Sequence, residues 1–157
     1  VKTLADPRVQ NVLAHDFVLA THNQLPGLYC NNTVDAGTDR YPSAQVDGCP
    51  ESAGGGNLRL FICRPSGGVV AELLGYWGPD RFLEELRRAS DLVRTGLSRA
   101  ELEEAHRRCL AGHAGSSDRA GKLLVRAHQE AIADLLLPVQ QVLNRIEDEV
   151  YTKGAVG

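Results

Sequence analysis

The sequence predicts an α/β fold: a mixed sheet carried by residues 1–94, followed by a helical extension over 95–157. Three observations predict it. A proline-started helical segment runs directly into the apolar run Phe17-Val18-Leu19-Ala20. Residues 58–74 alternate about the turn Arg64-Pro65-Ser66-Gly67-Gly68. From residue 79 onward, apolar residues recur at spacings of three and four.

In chain order, Asp6-Pro7 predicts a helix start, with a carboxylate at the N-cap and a proline where a missing N–H costs nothing; Val9, Val12 and Leu13 then share one face over 7–14. Phe17 to Ala20 is too short for a helix and reads as a buried strand. Between Asn23 and Asn57 the chain carries Pro26, Gly27, Gly37, Pro42, Gly48, Pro50 and Gly54-Gly55-Gly56, which predicts a long loop. Leu58, Leu60 and Ile62 alternate with Arg59, Phe61 and Cys63, and with Val69 to Leu74 they form a β-hairpin. Gly78-Pro79 opens a helix over 79–93 with the stripe Phe82, Leu83, Leu86, Ala89 and Val93. Ser98 with Glu101 is a capping box for a helix to about Leu110, in which Glu101, Glu103, Glu104, Arg107 and Arg108 make a solvated face. The stretch 118–151 is helical, with Pro138 kinking or dividing it.

Composition narrows the function classes. The 157 residues carry 17 Lys and Arg against 20 Asp and Glu, a formal charge of −3, so there is no general pull toward nucleic acid. Charged residues interrupt every apolar stretch, so no transmembrane segment is expected. Val1 is not a translation start, which predicts residues upstream of it. The four cysteines, Cys30, Cys49, Cys63 and Cys109, form no C-x-x-C pair and no zinc-ribbon spacing. Cys30 and Cys49 are a candidate disulfide worth about 3 kcal/mol, with two free thiols as the alternative. A bridge would place the chain in an exported or periplasmic setting, and free thiols in the cytoplasm. Asn31-Asn32-Thr33 matches a glycosylation sequon and carries little weight.

The segment from Asn57 to Leu86 resembles the last two strands, the following glycine (Gly75) and the closing helix of the thioredoxin-like fold family, and Leu4 to Leu19 is similar to the rear of its first active-site helix and the next strand. The resemblance covers a little over half of the chain and implies an N-terminally incomplete thioredoxin-like domain. It also implies departures. The family's Cys-x-x-Cys would sit ahead of Val1, Asn57 stands where a cis-proline is usual, and the 23–57 loop replaces a helix. The central strand of such a sheet is missing too, leaving rows of backbone groups that an upstream strand, another element or another chain must fill.

Candidate chemistry is sparse. His106, Cys109 and His113 share a helical face and are the low-ranking metal candidates, with His128 as a fourth; the ordinary reading packs Cys109 with Leu102 and Leu110 and leaves both histidines solvated, so no metal and no cofactor is expected. Cys63 reads as a buried, inert thiol, and His15 and His22 as surface or cap residues. Tyr76 and Trp77 are candidate partner contacts or, equally, rings capping the sheet. The expected function is a non-catalytic thioredoxin-fold accessory module docking on a protein partner or larger complex; the alternatives are a thiol-disulfide oxidoreductase with its dithiol upstream of Val1, and a metal-binding sensor.

Overall fold

A computed structural model describes residues 3–20, 59–75 and 77–154. Its elements are α1 (Pro7–Asp16), β1 (Arg59–Cys63), β2 (Val69–Leu74), α2 (Pro79–Arg94), α3 (Arg99–His113), α4 (Arg119–Asp134) and α5 (Val139–Gly154).

Most boundaries follow from local chemistry. Asp6 caps α1 by accepting from the Arg8 N–H at 2.9 Å, and the helix ends where Phe17 turns extended. Ser98 and Glu101 form the reciprocal capping box that opens α3. Asp118 accepts from the Gly121 N–H at 2.8 Å to open α4. The predicted long helical stretch is divided rather than kinked. Leu136 takes a left-handed backbone (φ 61°) and Pro138 immediately precedes the next helix, its carbonyl accepting from Gln141 and Val142, because a proline ring there cannot continue the preceding turn.

β1 and β2 pair antiparallel, with Leu60 opposite Leu73 and Ile62 opposite Ala71, and a bulge between Ile62 and Cys63 leaves Val70 as the extra residue. Helices cover both faces of the hairpin. On one, Ile62, Ala71 and Leu73 pack with Val9 of α1, Phe82 and Leu86 of α2, and Leu124 and Ala127 of α4. On the other, Phe61, Cys63 and Val69 meet Val142 and Ile146 of α5. A third cluster joins Val70, Leu102 and Leu135 beneath α3. Burying each such aliphatic side chain contributes roughly 1.5–3 kcal/mol, so the hairpin is held by its helices rather than by its own ladder.

The thioredoxin-like reading is therefore corrected. Among the described residues the sheet has two strands only, and helices dominate, so this is not an α/β mixed sheet. The expected strand at 17–20 is not one: Phe17 packs on the core, but Val18 is 101% and Leu19 64% exposed, and neither pairs with β1 or β2. The run is apolar enough to be buried, yet apolar content alone does not supply a strand partner. With the sheet go both readings built on it, the thioredoxin-fold docking module and the upstream-dithiol oxidoreductase. The disulfide is likewise without support: Cys63 and Cys109 are free, and Cys30 and Cys49, with Tyr76, His22 and the predicted 23–57 loop, lie outside the described residues.

Candidate functional site

The hairpin's two outer edges differ. Along β2 the edge is bonded at Val69, Val70 and Leu74, while Glu72 between them receives no backbone bond from the described residues. Val69 donates to the Leu137 carbonyl at 3.0 Å and accepts from Leu136 at 2.8 Å, the Val70 carbonyl accepts from His106 at 2.9 Å, and the Leu74 carbonyl accepts from the Trp77 indole at 2.8 Å. Along β1, the Arg64 N–H points across the hairpin to the Gly68 carbonyl at 2.9 Å, so alternation turns the backbone groups of Phe61 and Cys63 the other way. No backbone hydrogen bond reaches that edge from the described residues.

Behind β2 lies a chain of buried polar side chains. His106 Nε2 faces a carbonyl, which can only accept, so that nitrogen carries the proton. His106 Nδ1 is then an acceptor, and His128 Nδ1, 2.8 Å away, must donate to it. His128 Nε2 is left as the acceptor for the Arg88 guanidinium at 3.0 Å. One arrangement of protons satisfies the whole path from Arg88 through His128 and His106 to Val70. Arg88 also donates to Cys109 Sγ at 2.9 Å and pairs with Glu85. Both imidazoles are buried and held neutral: burial, with the nearby Arg88 charge, pushes His106 below its ordinary value and His128 down to about 3.

A second cluster links the hairpin to the end of α4. Arg59 lies over the Phe61 ring at 5.1 Å, donates to Glu72 Oε2 through Nη2 at 2.6 Å and Nε at 3.1 Å, and reaches Glu130 at 3.4 Å. Asp134, fully buried, is chelated by Arg145 through two 2.7 Å bonds. Burial pushes the Glu72 carboxyl up to about 8 against the pull of Arg59, with the nearby Asp134 carboxyl adding to the rise. Glu72 Oε1 is buried without a hydrogen-bond partner among the described residues.

The residues singled out in the sequence fall as follows. His106 is completely buried rather than solvated, Cys109 is half-buried against Arg88, and His113 is half-exposed at the end of α3. Among the described residues no three His, Cys, Asp or Glu side chains are placed to hold a metal ion. Trp77 is 7% exposed and belongs to the core, with its indole N–H satisfied. Cys63 is half-buried, and burial pushes its thiol up. His15 is exposed, facing the Asn11 carbonyl at 2.8 Å. Sequence reasoning set His128 beside His106 only as a fourth metal candidate, and missed Arg59, Glu72, Arg88, Asp134 and Arg145 as partners. Glu72 amid Val69-Val70-Ala71 and Leu73-Leu74 was the available signal, because a carboxyl in a fully buried strand needs a partner from elsewhere.

An open groove of about 600 Å³ between the end of α3 and the start of α4 is lined by His113, Ser116, Lys122, Arg126 and Glu130, the last two paired at 3.9 Å. Among the described residues no helix is long and apolar enough to cross a membrane. No protein family, curated protein or solved structure matches the chain.

Proposed function

We propose that this chain is a helix-supported binding module that takes an extended segment of a partner protein as a third strand along β1. The observation that carries this reading is the asymmetry of the hairpin: β2's outer edge is bonded at Val69, Val70 and Leu74, while the outward groups of Phe61 and Cys63 receive no backbone bond from the described residues. Among the described residues both faces of the hairpin are packed by helices, which favours its edge as the surface for recognition. Strand addition suits it. Main-chain hydrogen bonds supply affinity, and alternate side chains of the incoming segment read the two flanking surfaces. Arg59 is flanked by Glu130 at 3.4 Å and Asp134 at 3.9 Å, so the edge is not dominated by one sign of charge and favours an alternating apolar peptide over an acidic one.

The test uses a blocked hexapeptide of alternating Val and Thr and the same peptide N-methylated at every second residue. The unmodified peptide is expected to slow amide exchange at Phe61 and Cys63 and the methylated one is not. Equal effects of the two would overturn strand addition. Protection that grows with protein concentration in the absence of peptide would identify a second copy as the occupant and overturn the partner reading.

A further inference from the structure

We infer that the His106–His128 pair is an acid-sensitive lock, in which protonating either imidazole breaks the path from α2 through α4 and α3 to β2 and frees α3 from the hairpin. The geometry leaves no room for an extra proton. On His106 Nδ1 it would face the His128 N–H across 2.8 Å, and on His128 Nε2 it would face the Arg88 guanidinium across 3.0 Å. In both cases donor meets donor and like charge meets like charge. The charged and titratable groups around the pair do not offset this. α2 presents Arg88 with its partner Glu85, α3 presents Cys109 and His113, and β2 presents the Val70 carbonyl. His113 and Arg88 both work against a second positive charge.

Release should be selective for α3 because that helix buries fewer side chains than α2. Leu102 and His106 are its buried residues, whereas α2 buries Phe82, Leu83, Glu85, Leu86, Ala89 and Ser90. Losing the His106 contact removes one of α3's two buried anchors and leaves α2's apolar stripe intact.

The test is amide exchange on the full chain between pH 7.5 and pH 4.5, corrected for intrinsic rates, together with imidazole ¹⁵N shifts. At pH 7.5 the shifts should show the proton on Nε2 of His106 and on Nδ1 of His128. Between pH 6.5 and 4.5, α3 opening should rise about 50-fold through His128 alone, with His106 adding in the same direction and α2 lagging well behind. The H106Q/H128Q variant should lose that response. Three results would overturn the lock: ordinary titration of both rings with α3 still protected, α2 opening in step with α3, or an unchanged acid response in the variant. Where the variant does not fold, the wild-type tautomers and the α3-to-α2 comparison decide.

Discussion

At the scale of single residues, the interior of this protein is organised by polar groups that had to find partners. Asp134 is completely buried, and the guanidinium chelating it is 42% exposed, so Asp134→Ala removes both of those bonds while Arg59 and Glu72 lose a neighbour. Removing one partner of a buried pair costs about 3–5 kcal/mol, and the exposure of the Arg145 side puts this case near the lower end, at about 3 kcal/mol by denaturant titration. Glu72→Gln should behave differently. Because Glu72 keeps its proton to about pH 8, a neutral isostere changes little below that point and removes the loss of stability that ionisation otherwise brings as pH rises. A large destabilisation of Glu72→Gln at pH 6 would mean that the side chain is a carboxylate there.

At the scale of elements, boundaries carried by a local device were legible in the sequence. Asp6-Pro7, Gly78-Pro79, the Ser98 and Glu101 box and Pro138 each act within one turn of chain, and the structure starts or divides its helices at those points. The hairpin was legible too, because alternation on both sides of a Gly-Gly turn has few other solutions. What escaped were relations at long separation. The apolar run at 17–20 reads alike whether or not a strand lies beside it, and His106 lies 22 residues from His128, which lies 40 from Arg88. Borrowing a sheet architecture to fill those gaps produced the wrong fold, since helix, run and hairpin in that order also suit a helical protein with one ribbon. Gly121 shows a tight constraint within one element. A Cβ there would run into the Ser116 Cβ and come within 2.7 Å of Asp118 Oδ1. Gly121→Ala should therefore destabilise by about 1–3 kcal/mol through overpacking, despite the roughly 1 kcal/mol that alanine contributes inside a helix. A rise in melting temperature would show that the loop gives way freely.

At the scale of the whole molecule, the two buried clusters make stability depend on pH in opposite directions. The imidazoles are neutral when folded and take up protons near pH 6.5 when exposed, so their contribution is complete above 6.5 and is lost as pH falls. Glu72 holds its proton when folded to about 8 but releases it near 4.5 when exposed, so its contribution is complete below 4.5 and is lost as pH rises to 8. Between 4.5 and 6.5 the imidazoles and the carboxyl act in opposite directions. Between 6.5 and 8 Glu72 acts alone and stability falls, by up to about 1.4 kcal/mol per pH unit. Equilibrium unfolding should show stability falling from pH 6.5 to 8, with that alkaline fall absent in Glu72→Gln. The same asymmetry of placement bears on the proposed working surface, because the buried clusters and the 136–139 segment bond one side of the hairpin while no backbone bond from the described residues reaches the other. Amide exchange along β1 in the isolated, monomeric chain tests this most directly. Leu60 and Ile62 should be slow and Phe61 and Cys63 fast, a two-residue alternation, whereas uniform slow exchange across all four would mean that the edge is already filled and no strand is awaited.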